Sequence, residues 1–216
     1  MVFITSDQKY VIKVISKHEK SVFTQMLLGP YMNRILACTE SKLVRILGLF
    51  QLKPSKIYFM IMENTAVLTE DCERYDLKGS TVDRQVNDIE SRKSILKDLN
   101  FLNTGVKVKL PPDTYKSLIS TLTEDFKVLK NVGIMDYSLY LVCHPHASNH
   151  IYPHYIVSNC SVSVIDLFQL YDSQKAVERC LKIYVRCVKK HSLSSVSSNE
   201  YFQRILDFLP SVFESD

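Results

Sequence analysis

The chain opens on alternating apolar and polar positions and later turns to helical spacing. Residues 1–6 and 9–16 read as two strands joined by Asp7 and Gln8. In the second, a period of two puts Val11, Lys13 and Ile15 on one face. A lysine between two β-branched neighbours either snorkels to water or points into a pocket that holds anions. Lys17 to Leu28 reads as a helix with Glu19 near its start, interrupted at Gly29-Pro30 before a further helical turn. Leu43 to Leu52 and Lys56 to Met62 read as antiparallel strands around Lys53-Pro54-Ser55. Met62 to Thr69, following an apolar strand, is the expected seam between two lobes.

Tyr75 to Lys78 and Thr81 to Val86 read as extended chain on either side of Gly79. Pro111-Pro112-Asp113 opens the clearest helix, with Tyr115, Leu118, Ile119, Leu122, Phe126 and Leu129 at helical spacing. Asp113 suits its first turn through the helix dipole or a cap. From Ile134 to His144, Tyr137, Leu139 and Leu141 alternate with Asp136, Ser138 and Tyr140. Val162 to Asp166 is a second apolar strand ending in an acid. Acids beside apolar strands need a partner or a purpose. Asp172 to Lys190 is predicted helical, with Val177, Cys180, Leu181, Tyr184 and Val188 on one side. Lys175, Arg179, Lys182, Arg186, Lys189 and Lys190 gather on the other. His191 to Asn199 reads as a serine-rich loop, and Tyr201 to Phe213 as an amphipathic helix.

With 216 residues and 46% hydrophobic content, one domain with a real core is the default, and two lobes fit. Six cysteines are scattered without CxxC spacing, and neither a signal peptide nor a long apolar run is present. These features suggest reduced thiols in a cytosolic protein. His144, His146, His150 and His154 raise zinc as a rival, but no paired cysteines accompany them and a histidine-rich loop is the preferred reading. Residues 175–191 carry net +5 against +4 for the whole chain, so everything else sums to −1. Such a basic stripe suits an anionic lipid surface. A solvated face is the plain alternative, and nucleic acid is disfavoured because no aromatic platform accompanies the charge.

The stretch YDLKGSTVDR, Tyr75 to Arg84, sets one glycine between a lysine and two hydroxyls. Gly79 allows close backbone approach, Lys78 is a mobile point charge and Arg84 a rigid fork for phosphate oxygens. By residue chemistry alone, a polar turn at a strand end has the same look.

DLKGS followed by an arginine four residues after the serine resembles the phosphatidylinositol phosphate kinase family. IMDYSLYLVCHP (Ile134 to Pro145) is similar to that family's IMDYSLL element, and VSVIDLFQLYD (Val162 to Asp172) to its IID-x-LQ-x-YD element. Phe3 to Glu19 resembles its early strands and lysine. The resemblance implies an α+β fold, two-lobed and kinase-like, with antiparallel sheets and packed helices over residues 1–213. It puts the N-lobe at about 1–64, the C-lobe beyond, and the activation segment at 167–198. It implies a lipid kinase using ATP and Mg²⁺, with Lys13 on the nucleotide phosphates and Glu19 as its helix partner. By the same resemblance Met62, Glu63 and Asn64 would form the hinge that takes adenine. Asp166 would bind the metal, Asp136 would accept the inositol proton, and Lys78 and Arg84 would neutralise phosphate.

Taken with the basic helix from Lys175, the resemblance implies a phosphoinositide in an anionic membrane as partner, at the cytosolic face of the plasma membrane, with a second copy of the chain as a further candidate. Glu178 matches the branch that phosphorylates phosphatidylinositol 4-phosphate on its 5-hydroxyl, where the 5-phosphate 4-kinases carry alanine. The sequence departs from the family in lacking its glycine-rich loop, Gly29 being the first glycine, so the chain reads as N-terminally truncated. It also carries Tyr140 for a leucine and Lys175-Ala176 for a lysine pair, and Val185 to Ser194 lacks a clear match. A catalytically weak or inactive phosphoinositide-binding scaffold is the alternative class, and a 5-phosphate 4-kinase the alternative reaction. A protein kinase fits poorly, since neither HRD nor DFG occurs.

Overall fold

The alternating segments at the start of the chain pair into a sheet. The computed structural model describes residues 1–66, 71–87, 94–144, 152–170 and 197–216. Within it β1 (Val2–Ile4), β2 (Tyr10–Ile15), β3 (Ile46–Leu52) and β4 (Ile57–Glu63) form an antiparallel sheet in the order β1-β2-β4-β3. Val11, Lys13 and Ile15 lie opposite Met62, Met60 and Tyr58. The buried side chains of Met60 and Met62 therefore mark the inner face and carry Lys13 with it.

The expected break at Gly29-Pro30 does not occur. α1 (Lys17–Val22) runs through a wide turn at Phe23–Leu27 into α2 (Leu28–Ala37), and the Leu28 N–H bonds five residues back to the Phe23 carbonyl. Proline lacks an N–H and crowds the carbonyl four residues before it. The wide turn spans those carbonyls and accommodates Pro30 without ending the helix.

The second sheet comprises β5 (Glu73–Leu77), β6 (Leu96–Lys97), β9 (Ser138–Cys143), β10 (Ile156–Val157) and β11 (Cys160–Ile165), in the order β10-β11-β9-β5-β6. Residues 42–44 run beside β11, with the Val44 N–H on the Val164 carbonyl (3.0 Å) and the Val164 N–H on the Lys42 carbonyl (2.7 Å). Thr81 to Val86 is not extended as expected. It turns at Val82–Asp83, and Asp83 has a φ of 56°.

α3 (Asp98–Asn103), β7 (Val108–Leu110) and α4 (Pro112–Asn131) follow, then β8 (Ile134–Met135), which pairs with β12 (Gln169–Leu170). α5 (Ser198–Val212) begins at a capping box between Ser197 and Glu200 and leads into β13 (Phe213–Ser215), parallel to β7. The predicted stripe on α4 is buried at Leu118, Leu122, Phe126 and Leu129. It meets α5 through Tyr137, whose ring lies 5.3 Å from Phe126 and 4.7 Å from Tyr201. Asp125 on the same helix is fully buried. It accepts from Arg34 Nε (2.6 Å), Ser41 Oγ (2.8 Å) and the Lys42 N–H (2.7 Å), tying α2 and its following loop to α4.

Candidate active site

Register brings the predicted acids together. Ser138 lies opposite Ile165, and Leu77 opposite Leu139. Asp136 precedes β9, Asp166 follows β11 and Lys78 follows β5, so all three emerge at one end of the sheet. Asp136 and Asp166 both have a φ of 62°. This left-handed backbone is uncommon outside glycine, although aspartate tolerates it better than most residues.

Lys13 reaches the same end from the first sheet. Its Nζ is 2.8 Å from Asp166 Oδ1, 3.8 Å from Glu19 Oε1 and 5.4 Å from the Phe168 ring centre. Glu19 also closes a capping box with Ser16 at the start of α1, so it serves helix and lysine at once. Lys78 Nζ donates to the Asp136 carbonyl (2.7 Å) and lies 3.4 Å from its Oδ1.

A cleft of about 330 Å³ is bounded by both sheets. Ile4, Val11, Val44, Met62 and Ile165 give it an apolar lining, while Lys13, Asp166, Asp76 and Tyr140 supply polar groups. Burial pushes the Tyr140 hydroxyl up to about 12, so it is a neutral donor there. Apolar walls with a few convergent polar groups are the usual make-up of a small-ligand site. The donor set fits a nucleotide with a hard divalent cation. The Asp166 carboxylate is a hard oxygen donor, 45% exposed. Among the described residues no three His, Cys, Asp or Glu side chains converge as a metal cage. Mg²⁺ is commonly held by one or two carboxylates together with substrate phosphates.

Several expectations are revised. Met62, Glu63 and Asn64 line the cleft, but two of the expected hinge donors are engaged. The Glu63 N–H bonds the Arg45 carbonyl and the Asn64 N–H the Lys9 carbonyl, each at 2.9 Å. The Asn64 side chain donates to the Gln8 carbonyl (2.8 Å), and Glu63 Oε2 meets His154 Nε2 at 3.0 Å. Arg84 is not a phosphate fork. It is buried, with Nε on Asp98 Oδ2 (2.7 Å) and Nη2 on Asp76 Oδ1 (2.8 Å) and the Asp76 carbonyl. Gly79 faces protein. Its φ is 65°, and an added Cβ would stand 3.1 Å from the Arg204 carbonyl oxygen of α5. Of this motif, Lys78 reaches Asp136 and Asp76 borders the cleft.

Asp98 carries no signal in the sequence, where it resembles any first-turn helix acid. It is fully buried, and its partners begin with Arg84, fourteen residues earlier. Lys175, Glu178, Arg179, Lys182, Arg186, Lys189 and Lys190 lie outside the described residues, as do His146 and His150.

A family model described as Phosphatidylinositol-4-phosphate 5-Kinase matches residues 1–159 and 157–212. The chain belongs to the phosphatidylinositol phosphate kinase family. A probable phosphatidylinositol phosphate kinase of Dictyostelium discoideum is 36% identical over 155 residues, covering 68% of this chain and 21% of that protein. Human phosphatidylinositol 4-phosphate 5-kinase type-1 beta is 34% identical over 148 residues, 66% of this chain and 27% of its own length. Rat phosphatidylinositol 5-phosphate 4-kinase type-2 beta is 32% identical over 146 residues, 65% and 35% respectively. The chain thus spans between about a fifth and a third of these phosphatidylinositol phosphate kinases. Its antiparallel-rich sheets and packed helices give it the family's α+β class.

Proposed function

We propose that this chain is a lipid kinase that moves the γ-phosphoryl group of ATP to the 5-hydroxyl of phosphatidylinositol 4-phosphate, at the cytosolic face of the plasma membrane. The observation that carries the reading is the Lys13–Asp166 pair at 2.8 Å on an apolar cleft between the two sheets. The cleft walls take adenine, and Lys13 neutralises the nucleotide phosphates. Glu19 and Asp166 hold the Lys13 ammonium from two sides. Asp166 is the residue that would hold Mg²⁺, which when bound neutralises charge between the phosphates.

Asp136 orients the inositol hydroxyl. As the hydroxyl oxygen bonds the γ-phosphorus and the bond to the β-phosphate oxygen breaks, the hydroxyl proton passes to the Asp136 carboxylate and ADP leaves. Lys78 stays beside that carboxylate and balances phosphate charge. Positioning and charge neutralisation carry most of the rate in such transfers. The basic residues Lys175, Arg179, Lys182, Arg186, Lys189 and Lys190 hold the chain to anionic lipid.

Choice of lipid isomer rests on Glu178. A relative named as a 5-phosphate 4-kinase is nearly as similar as one named as a 4-phosphate 5-kinase, so substrate isomers are the direct test. Vesicles carrying either phosphatidylinositol 4-phosphate or the 5-phosphate isomer are incubated with radiolabelled ATP. The wild type is expected to prefer the 4-phosphate lipid, and Glu178→Ala to lose that preference. A wild type that prefers the 5-phosphate lipid refutes the 5-kinase assignment.

A further inference from the structure

Lys78 meets Asp136 from the turn after β5, and one buried carboxylate bonds that turn at three points. Asp98 Oδ1 accepts from the Lys78 N–H (2.9 Å) and the Ser80 N–H (3.3 Å), and Oδ2 accepts from Arg84 Nε (2.7 Å). Arg84 continues to Asp76, a residue of the cleft wall. Burial works against the Arg84 charge, but Asp98 and Asp76 more than offset it and hold its pKa above the ordinary value. Gly79, between the two amides bound by Asp98, is pressed against α5. The Lys78 backbone is therefore fixed at its amide by Asp98 and flanked by a residue with little room to move.

We propose that Asp98 is a positioning residue of this site. It holds the Lys78-Gly79-Ser80 backbone so that the Lys78 ammonium lands on Asp136, and through Arg84 it ties that turn to Asp76 in the cleft wall. The inference rests on the kinase reading only in taking Asp136 as the group that meets substrate. Without Asp98, two backbone N–H groups and a guanidinium lose a buried acceptor, and each unmade bond favours a different turn. Lys78 holds the acid with one ammonium on a flexible stem, so once its backbone is released the ammonium samples positions away from Asp136 and spends less time on it.

Asp125 supplies the control. It is equally buried and also has three donors, but they belong to α2 and the loop after it rather than to the turn. The folded 216-residue chain is treated with a limiting acetylating reagent, and modification of each lysine is followed by mass spectrometry. In Asp98→Asn, Lys78 should acetylate about tenfold faster, the order expected for loss of one buried hydrogen bond, with Lys13 and Lys42 unchanged. Asp125→Asn should leave Lys78 at the wild-type rate. Arg84→Lys keeps a cation beside Asp98 but loses the bridge to Asp76. It is the milder second variant should Asp98→Asn fail to fold, and should raise Lys78 labelling about threefold.

In the kinase assay Asp98→Asn should lower kcat with KM for ATP unchanged, and should add no further loss in a Lys78→Ala background. Additive losses, unchanged Lys78 labelling in a folded variant, or an equal rise at every lysine would overturn the proposal. Selective Lys78 labelling in a chain that phosphorylates neither lipid keeps Asp98 as the positioning residue and refutes the kinase reading. Transfer by the wild type without selective labelling does the reverse.

Discussion

Asp136 and Asp166 share a backbone conformation as well as a charge, each at φ 62°. Their position at strand ends was legible because an acid beside apolar alternation stands out, and the lysine on the inner face of β2 was legible for the same reason. Their φ values were not, since aspartate occurs in many turns. Asp98 and Asp125 were illegible because the donors that justify them sit fourteen to more than eighty residues away. The arginine of the central motif misled for a related reason. A fork suited to phosphate suits a buried carboxylate equally well, and local sequence does not choose between them. Asn tolerates the left-handed region as Asp does, so Asp136→Asn tests chemistry with little added strain. It should lower kcat by about 10² to 10⁴-fold, the usual worth of a general base, while ATP affinity measured by calorimetry stays near wild type. A variant that turns over normally would remove Asp136 from the proton transfer.

Elements are legible in the sequence where one period dominates, as on α4, and obscured where local breakers meet tertiary support. Gly29-Pro30 marks an end to a helix in isolation, yet the wide turn at Phe23–Leu27 lets α1 pass into α2. On α4 the apolar stripe concealed an acid. Asp125→Ala should cost about 3–5 kcal/mol in urea unfolding, the range for breaking one side of a buried ion pair. Leu122→Ala on the same helix should cost about 2–5 kcal/mol from lost apolar burial and the cavity left behind. An Asp125→Ala loss below about 1 kcal/mol, the worth of an exposed pair, would show that the α2–α4 tie is not structural. Gly79→Ala should be destabilised by about 1–2 kcal/mol from its positive φ, with crowding against the Arg204 carbonyl adding to the loss. The same unfolding measurement checks it, and a neutral result would mean both that the turn leaves its positive φ and that α5 yields to the new methyl group.

At the scale of the whole molecule, two sheets bound an apolar cleft, with Lys13 from one meeting Asp166 from the other. Alternation near the start and helical spacing later place individual strands and helices, while the α+β class came from the family resemblance. The closure of the two sheets onto each other was not legible, because it depends on long-range register. Charge is divided unevenly, with residues 175–191 at net +5 in a chain of +4. Among the described residues no helix is long and apolar enough to cross a membrane. Replacing Arg179, Lys182 and Arg186 with Glu should weaken co-sedimentation with anionic vesicles, by up to about 1 kcal/mol for each charge lost near the surface. The residual binding should respond less to salt, since screening acts on exposed charges. Unchanged binding would mean that these basic residues do not hold the chain to lipid. The most direct test of the account is the initial rate of radiolabelled γ-phosphate transfer from ATP to phosphoinositide vesicles, with wild type and Asp166→Asn side by side. Transfer by the wild type and none above background by Asp166→Asn is the predicted result. Transfer by neither, or equal transfer by both, would contradict a phosphoinositide kinase working through the Lys13–Asp166 cleft.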